Sequence, residues 1–161
     1  MKKISLFLLF LGLLISCGNN EKKKDQATET DKPKIEQKEV KYDKVDGVAV
    51  DMENKGVGPV KSLELPDEID QDMAARGKEI YDLNCLACHK PDVKFIGPAP
   101  KGVLERRSPE WTMNMILNPE RMVKEDPIAK QLLIEYNGSP MANQGLTEDE
   151  ARAILEYFRT L

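Results

Sequence analysis

Apolar residues recur at helical spacing from about residue 70 to the end of the chain. Asp72 can cap a first helix, whose apolar positions include Gly77 and Tyr81. Two further helices are predicted by a capping residue followed by proline, from Ser108 to about Leu117 and from Asp126 to Tyr136. Thr147 and Glu150 form a capping box that opens the last helix. The apolar face of that helix consists of Ala151, Ile154, Leu155 and Phe158. No segment alternates as a strand should, so we predict an all-α domain over residues 72–161.

The first sixteen residues have the pattern of a targeting segment. Lys2 and Lys3 precede an apolar stretch of about ten residues, which suits a signal peptide and is too short for a bilayer, since spanning takes roughly 20. The stretch ends at Cys17, in a tetrapeptide that resembles the lipobox of bacterial lipoproteins, whose cysteine becomes the acylated first residue. We therefore expect a signal peptide at 1–16, a lipid on Cys17, and a domain on the periplasmic side of the cell envelope, anchored in either membrane. An ordinary secretory signal with an incidental cysteine is the alternative.

Polar residues dominate the next part of the chain. Residues 17–55 contain almost no large apolar side chains and bury too little surface to offset their chain entropy, which predicts a disordered tether. Residues 56–71 are more apolar, and we expect them to lie extended against the domain. The formal net charge of −4 gives no support for nucleic-acid binding.

Cys85, Cys88 and His89 form the C-x-x-C-H motif that is typical of covalent haem attachment. Two thiols at this spacing add to the two vinyl groups of one haem, and the adjacent imidazole then faces the iron. A zinc site needs about four ligands, whereas His89 is the only histidine and Cys17 the only other cysteine. A thioredoxin-type redox pair would follow a strand in an α/β pattern, which this sequence lacks. The motif therefore predicts one covalent haem c.

The histidine count restricts the second axial ligand of the iron. A second histidine is excluded, which leaves methionine, another weak donor, water or no ligand. Met141 is the favoured candidate, because it lies in a loop just before the last predicted helix, where a thioether can approach the haem face opposite His89. Methionines more often fill a core than bind a metal, and the remaining candidates are Met113, Met115 and Met122.

Residues 72–161 resemble a class I monohaem cytochrome c. The resemblance rests on the C-x-x-C-H motif, on the Gly97-Pro98 pair that follows it and on Met141 before the last helix. It implies the class I cytochrome c fold, with His89 as proximal ligand, the Pro98 carbonyl as acceptor of its N–H, and Met141 as distal ligand.

The resemblance extends to the positions where the first and last helices cross. Gly77 and Tyr81 match the glycine and aromatic residue of the first helix, which would meet Ile154 and Tyr157. The distal loop departs from the family, because Pro140 precedes the methionine instead of following it.

Some of these residues have a second interpretation. Pro98 can simply be one of the two prolines of a turn. Trp111 can pack in the core or donate its indole N–H to a haem propionate. Arg106 and Arg107 can also reach a propionate, or form a solvated pair.

The predicted function is electron transfer by a carrier, not catalysis. Haem iron held by histidine and methionine changes oxidation state with little change of ligand. The expected partners are a redox donor and acceptor, with the membrane reached through the lipid. The tethered architecture is also similar to lipoprotein cytochromes that accompany nitrous-oxide reduction, and a terminal oxidase is an equally reasonable acceptor. The alternatives are a haem-based sensor or small haem enzyme with an open or labile sixth position, and the haem subunit of a larger redox complex.

Overall fold

The computed structural model describes residues 43–45 and 48–161. The predicted signal peptide, Cys17 and most of the predicted tether lie outside these residues. Five helices form the domain: α1 (Gln71–Asn84), α2 (Pro109–Leu117), α3 (Pro119–Glu125), α4 (Pro127–Glu135) and α5 (Glu148–Phe158), with a 3₁₀ turn at Val103–Glu105. The all-α prediction for the domain is confirmed. No helix within the described residues is long and apolar enough to cross a membrane.

Side-chain caps set the helix boundaries. Asp70, not Asp72, caps α1, because its carboxylate accepts the N–H of Met73, while Asp72 stands in the first turn of the helix. Ser108, Asp126 and the Thr147–Glu150 capping box open α2, α4 and α5 as predicted. Helix α4 ends at Glu135, one residue before the predicted end. Sequence reasoning missed α3, although Asn118 before Pro119 carries the same signature as the other two proline-led helices.

The first and last helices cross in close contact. A Cβ on Gly77 would lie 2.9 Å from the main-chain nitrogen of Ile154 and closer still to the Ala153 carbonyl. Only glycine therefore allows this approach of α1 to α5. The ring of Tyr81 packs against Tyr157 at the same crossing, with centroids 5.3 Å apart.

The chain before α1 begins to pack earlier than predicted. Strands β1 (Asp43–Val45) and β2 (Val48–Val50) form a short antiparallel hairpin. Ala49 is buried, and its carbonyl accepts a hydrogen bond from the guanidinium of Arg107. The segment predicted as tether therefore contains, at Ala49, a residue that packs on the domain. Sequence reasoning missed strand β2 because residues 48–50 are too few to show an alternating pattern.

Residues 49–66, which we call the strap, lie against α2, whose Asn114 and Glu110 side chains accept main-chain N–H groups of Val60 and Leu63. Val57 packs on one apolar cluster, which consists of Trp111, Met122, Ile128 and Ala129. Val60 belongs to a second cluster with Tyr81, Cys85, Met113, Ile116, Ala151, Ile154, Leu155 and Tyr157. The strap thus joins the two parts of the core.

Candidate functional site

The C-x-x-C-H motif forms a turn directly after α1. The main-chain N–H of Cys85 still donates to the Tyr81 carbonyl, at 2.8 Å, and so closes the helix. The carbonyl of Cys85 then accepts the N–H groups of Cys88 and His89, at 3.0 and 2.9 Å. This turn holds both thiols and the imidazole at the end of one rigid helix.

The two thiols stand in different surroundings. Both cysteines are free; Cys85 is buried and Cys88 is exposed. Burial, with a smaller effect of neighbouring Cys88, raises the pKa of the Cys85 thiol to about 11. Cys85 is therefore protonated at neutral pH in this arrangement.

The imidazole of His89 has a defined orientation. Its Nδ1 lies 2.8 Å from the Pro98 carbonyl oxygen. A carbonyl can only accept, so Nδ1 carries a proton, and in the neutral ring Nε2 then keeps the lone pair that a metal needs. Gly97 lies against the ring, since a Cβ there would come within 2.7 Å of Nδ1 and 2.9 Å of Nε2. The structure thus brings Gly97, Pro98 and His89 together.

The methionines considered as ligands occupy unlike places. Met122 is fully buried in α3, and its sulfur accepts the N–H of Val57 at 3.0 Å. Met113 is buried in the larger apolar cluster, and Met115 packs against the smaller one. Met141 is partly exposed, in the stretch between α4 and α5. A φ of 59° at Asn137 and of 71° at Gly138 turns the chain into this stretch.

Trp111 and Arg107 both donate hydrogen bonds to protein groups. The indole N–H of buried Trp111 donates to Asp126, at 3.1 Å. Arg107 is 3% exposed, so it is not solvated, and its guanidinium donates to the carbonyls of Ala49 and Arg106. The Arg106 side chain donates to the Lys101 carbonyl at 3.1 Å. Trp111 thus stabilises the contact between α2 and the start of α4, and Arg107 holds the first residue of the strap.

One contact of the motif was missed from the sequence. The Tyr81 hydroxyl donates to the main-chain carbonyl of His89, at 2.5 Å. The signal was the choice of tyrosine at a predicted buried position, because a buried hydroxyl needs a partner that phenylalanine does not.

The donor set fits a covalently bound haem. Two thiols and a ring nitrogen with a free lone pair lie within one turn, and apolar residues follow, with Val93, Phe95 and Ile96 about half exposed (55%, 52% and 48%). An apolar ring attached at the motif would find apolar surface there. An all-α fold that presents this set at the end of its first helix defines a c-type haem protein.

The comparisons with known proteins agree with that class. Residues 74–161 match the sequence model of the family described as cytochrome c. The chain belongs to the cytochrome c family, with the class I monohaem fold and one covalently bound haem c. Haem-based electron transfer is the activity of this family.

Solved structures give the same result. A cytochrome c from Rhodothermus marinus is 46% identical, with a TM-score of 0.62, and the match covers 64% of this chain and 88% of that one. An engineered cytochrome c from the same organism is 45% identical, also with a TM-score of 0.62, and covers 64% of this chain and 89% of its own. A structure of that engineered protein bound to a carbene intermediate is 45% identical, covers 64% of this chain and 88% of its own, and has a TM-score of 0.59. The search of curated proteins gave no match.

Proposed function

We propose that this cytochrome is a membrane-tethered electron carrier and not an enzyme. Cys85 and Cys88 would hold the haem through thioether bonds, and His89 Nε2 and the Met141 sulfur would bind its iron. The observation that carries the proposal is the His89 Nδ1 contact with the Pro98 carbonyl, at 2.8 Å, because it commits Nδ1 to donation and leaves the lone pair of Nε2 for the iron.

The surroundings of the other methionines support Met141 as the distal ligand. Met122 accepts a main-chain N–H, and Met113 is 3% exposed in the core, so moving either sulfur would break packing or leave a polar group unpaired. Met141 belongs to a stretch without helix or strand, and its neighbours Pro140 and Ala142 are exposed. Its sulfur can therefore move without breaking packing of these neighbours.

The haem supplies one-electron chemistry, in which its iron alternates between the ferrous and ferric states. The protein determines how easily this occurs. A thioether ligand favours the ferrous form and raises the reduction potential. The hydrogen bond to Pro98 fixes the plane of the imidazole.

Absorption spectroscopy of the ferric protein tests the ligand assignment. Met141→Ala should lose the methionine-to-iron charge-transfer band and show a lower reduction potential. Met52→Ala is the control, because Met52 is 42% exposed in the strap, and it should keep both properties. A high-spin ferric spectrum and rapid carbon monoxide binding by the native protein would instead favour a sensor or a small haem enzyme.

Bacterial cytochrome c domains typically work outside the cytoplasm. We propose that a lipid on Cys17 anchors this one at the membrane on the periplasmic side, where redox proteins supply and accept electrons. The acceptor is a terminal reductase, such as nitrous-oxide reductase, or a terminal oxidase. Cys17→Ser should move the haem-stained protein from the membrane fraction to the soluble fraction, and an unchanged distribution would refute the anchor. Stopped-flow oxidation of the ferrous protein by each candidate acceptor identifies the partner.

A further inference from the structure

The hydroxyl of Tyr81 connects the middle of α1 to the residue that follows the two cysteines. It donates to the His89 carbonyl at 2.5 Å, eight residues further along the chain. Tyr81 is 1% exposed. A carbonyl oxygen can only accept, so the Tyr81 hydroxyl is the donor and the His89 carbonyl is its partner.

The direction of this hydroxyl is set by the helix crossing. The Tyr81 ring lies 5.3 Å from the ring of Tyr157 and 5.8 Å from that of Phe158, the latter edge to face at 85°. Both partners belong to α5, so the ring cannot turn without disturbing the α1–α5 packing. The hydrogen bond of Tyr81 thereby ties the His89 carbonyl to the packed crossing of α1 and α5.

We propose that Tyr81 is a positioning residue for His89, which it holds by the main chain while Pro98 holds the ring. Two hydrogen bonds at different ends of one residue restrict its rotation as well as its place. A purely packing role for Tyr81 would require only the ring. The inference rests on the proposed function only in taking His89 as the axial ligand.

The test uses Tyr81→Phe in the holoprotein, with Tyr157→Phe as the matched control. Each substitution removes the hydroxyl of a buried tyrosine and keeps a ring in the same aromatic group, but within the described residues only the Tyr81 hydroxyl reaches His89. Loss of one net hydrogen bond corresponds to about a tenfold change in the equilibrium constant for local opening of the turn at His89. Amide exchange at His89 should therefore become about tenfold faster in Tyr81→Phe and remain unchanged in Tyr157→Phe, after correction for global stability measured by denaturant unfolding.

A second readout follows the ligand itself. The paramagnetically shifted proton resonances of the His89 ring and the reduction potential should move in Tyr81→Phe and stay in place in Tyr157→Phe. Equal behaviour of the two variants in exchange, resonances and potential would overturn the proposal and leave Tyr81 as a packing residue. If the native protein lacked methionine ligation, the distal assignment would fail, whereas the exchange comparison at His89 would still decide the role of Tyr81.

Discussion

Asn114 binds both main-chain polar groups of Val60. Its Oδ1 accepts the Val60 N–H at 3.0 Å, and its Nδ2 donates to the Val60 carbonyl at 2.8 Å and to the Lys55 carbonyl, also at 2.8 Å. Asn114 is fully buried, so this one amide satisfies strap groups that water does not reach. Gly58 permits the contact, because a Cβ there would lie 2.6 Å from Cγ of Asn114.

Asn114→Ala should release the strap. The substitution leaves the Val60 N–H and two carbonyls without their partner, and each buried unpaired group costs roughly 1–3 kcal/mol, partly relieved by water. We expect the free energy of unfolding to fall by about 3 kcal/mol in denaturant titrations. Gln131→Ala, which removes an amide whose contact is an exposed bond to Glu135, should change it by no more than about 0.5 kcal/mol. Equal losses in the two variants would contradict this role of Asn114 in holding the strap.

Gly77→Ala should separate the first and last helices. The obstacle is main chain, namely the Ala153 carbonyl and the Ile154 nitrogen, so side-chain rearrangement cannot make room. We expect a loss of about 3 kcal/mol or more in the free energy of unfolding, or failure to accumulate as holoprotein. Adding Ala153→Gly should not restore stability, since the carbonyl remains. Recovery in that double variant would show that side-chain packing, not backbone approach, limits the crossing.

The Lys55–Glu110 pair should make strap docking sensitive to acid. Burial acts to raise the pKa of Glu110, but its own N–H, Lys55 at 3.0 Å and the Leu63 N–H outweigh burial and lower the pKa below its ordinary value of 4.5. A depressed folded-state pKa means that the stabilisation is complete above the unfolded pKa and is lost as pH falls through the folded one. Below about pH 4.5, the thermal unfolding temperature of the native protein should therefore fall more steeply with decreasing pH than that of Glu110→Gln. Parallel pH profiles would exclude Glu110 as the source.

Gly97→Ala should disturb the imidazole of His89. The added methyl would come within 2.7 Å of Nδ1, which pushes the ring away from the Pro98 carbonyl. Lower haem incorporation, measured by the ratio of haem absorbance to protein, and a changed potential in the remaining holoprotein are expected. Ala87→Ser alters an exposed position inside the motif and should match the native protein in both. Normal haem content and potential in Gly97→Ala would mean that the ring has room to move.

Local signals predicted most of the helices, because capping residues and apolar spacing act over a few residues. Ser108, Asp126 and Thr147 each cap the helix they were expected to open. The family followed from a motif within a single turn. The contacts of Asn114 and Tyr81 depend on residues that are 54 and 8 positions away, and no local pattern encodes such partners. The burial of Arg107 could not be predicted for the same reason. Its charge suggested a solvent-exposed side chain, and its partner Ala49 lies 58 residues earlier.

The 54-residue separation between Val60 of the strap and Asn114 of α2 has a consequence for the order of assembly. The strap precedes the C-x-x-C-H turn in the chain, yet its binding partner on α2 follows that turn. Contacts this distant in sequence close late, because the intervening loop must first lose its freedom. We therefore expect the newly made chain to present the two thiols while the strap is still unattached, and the strap to bind α2 last.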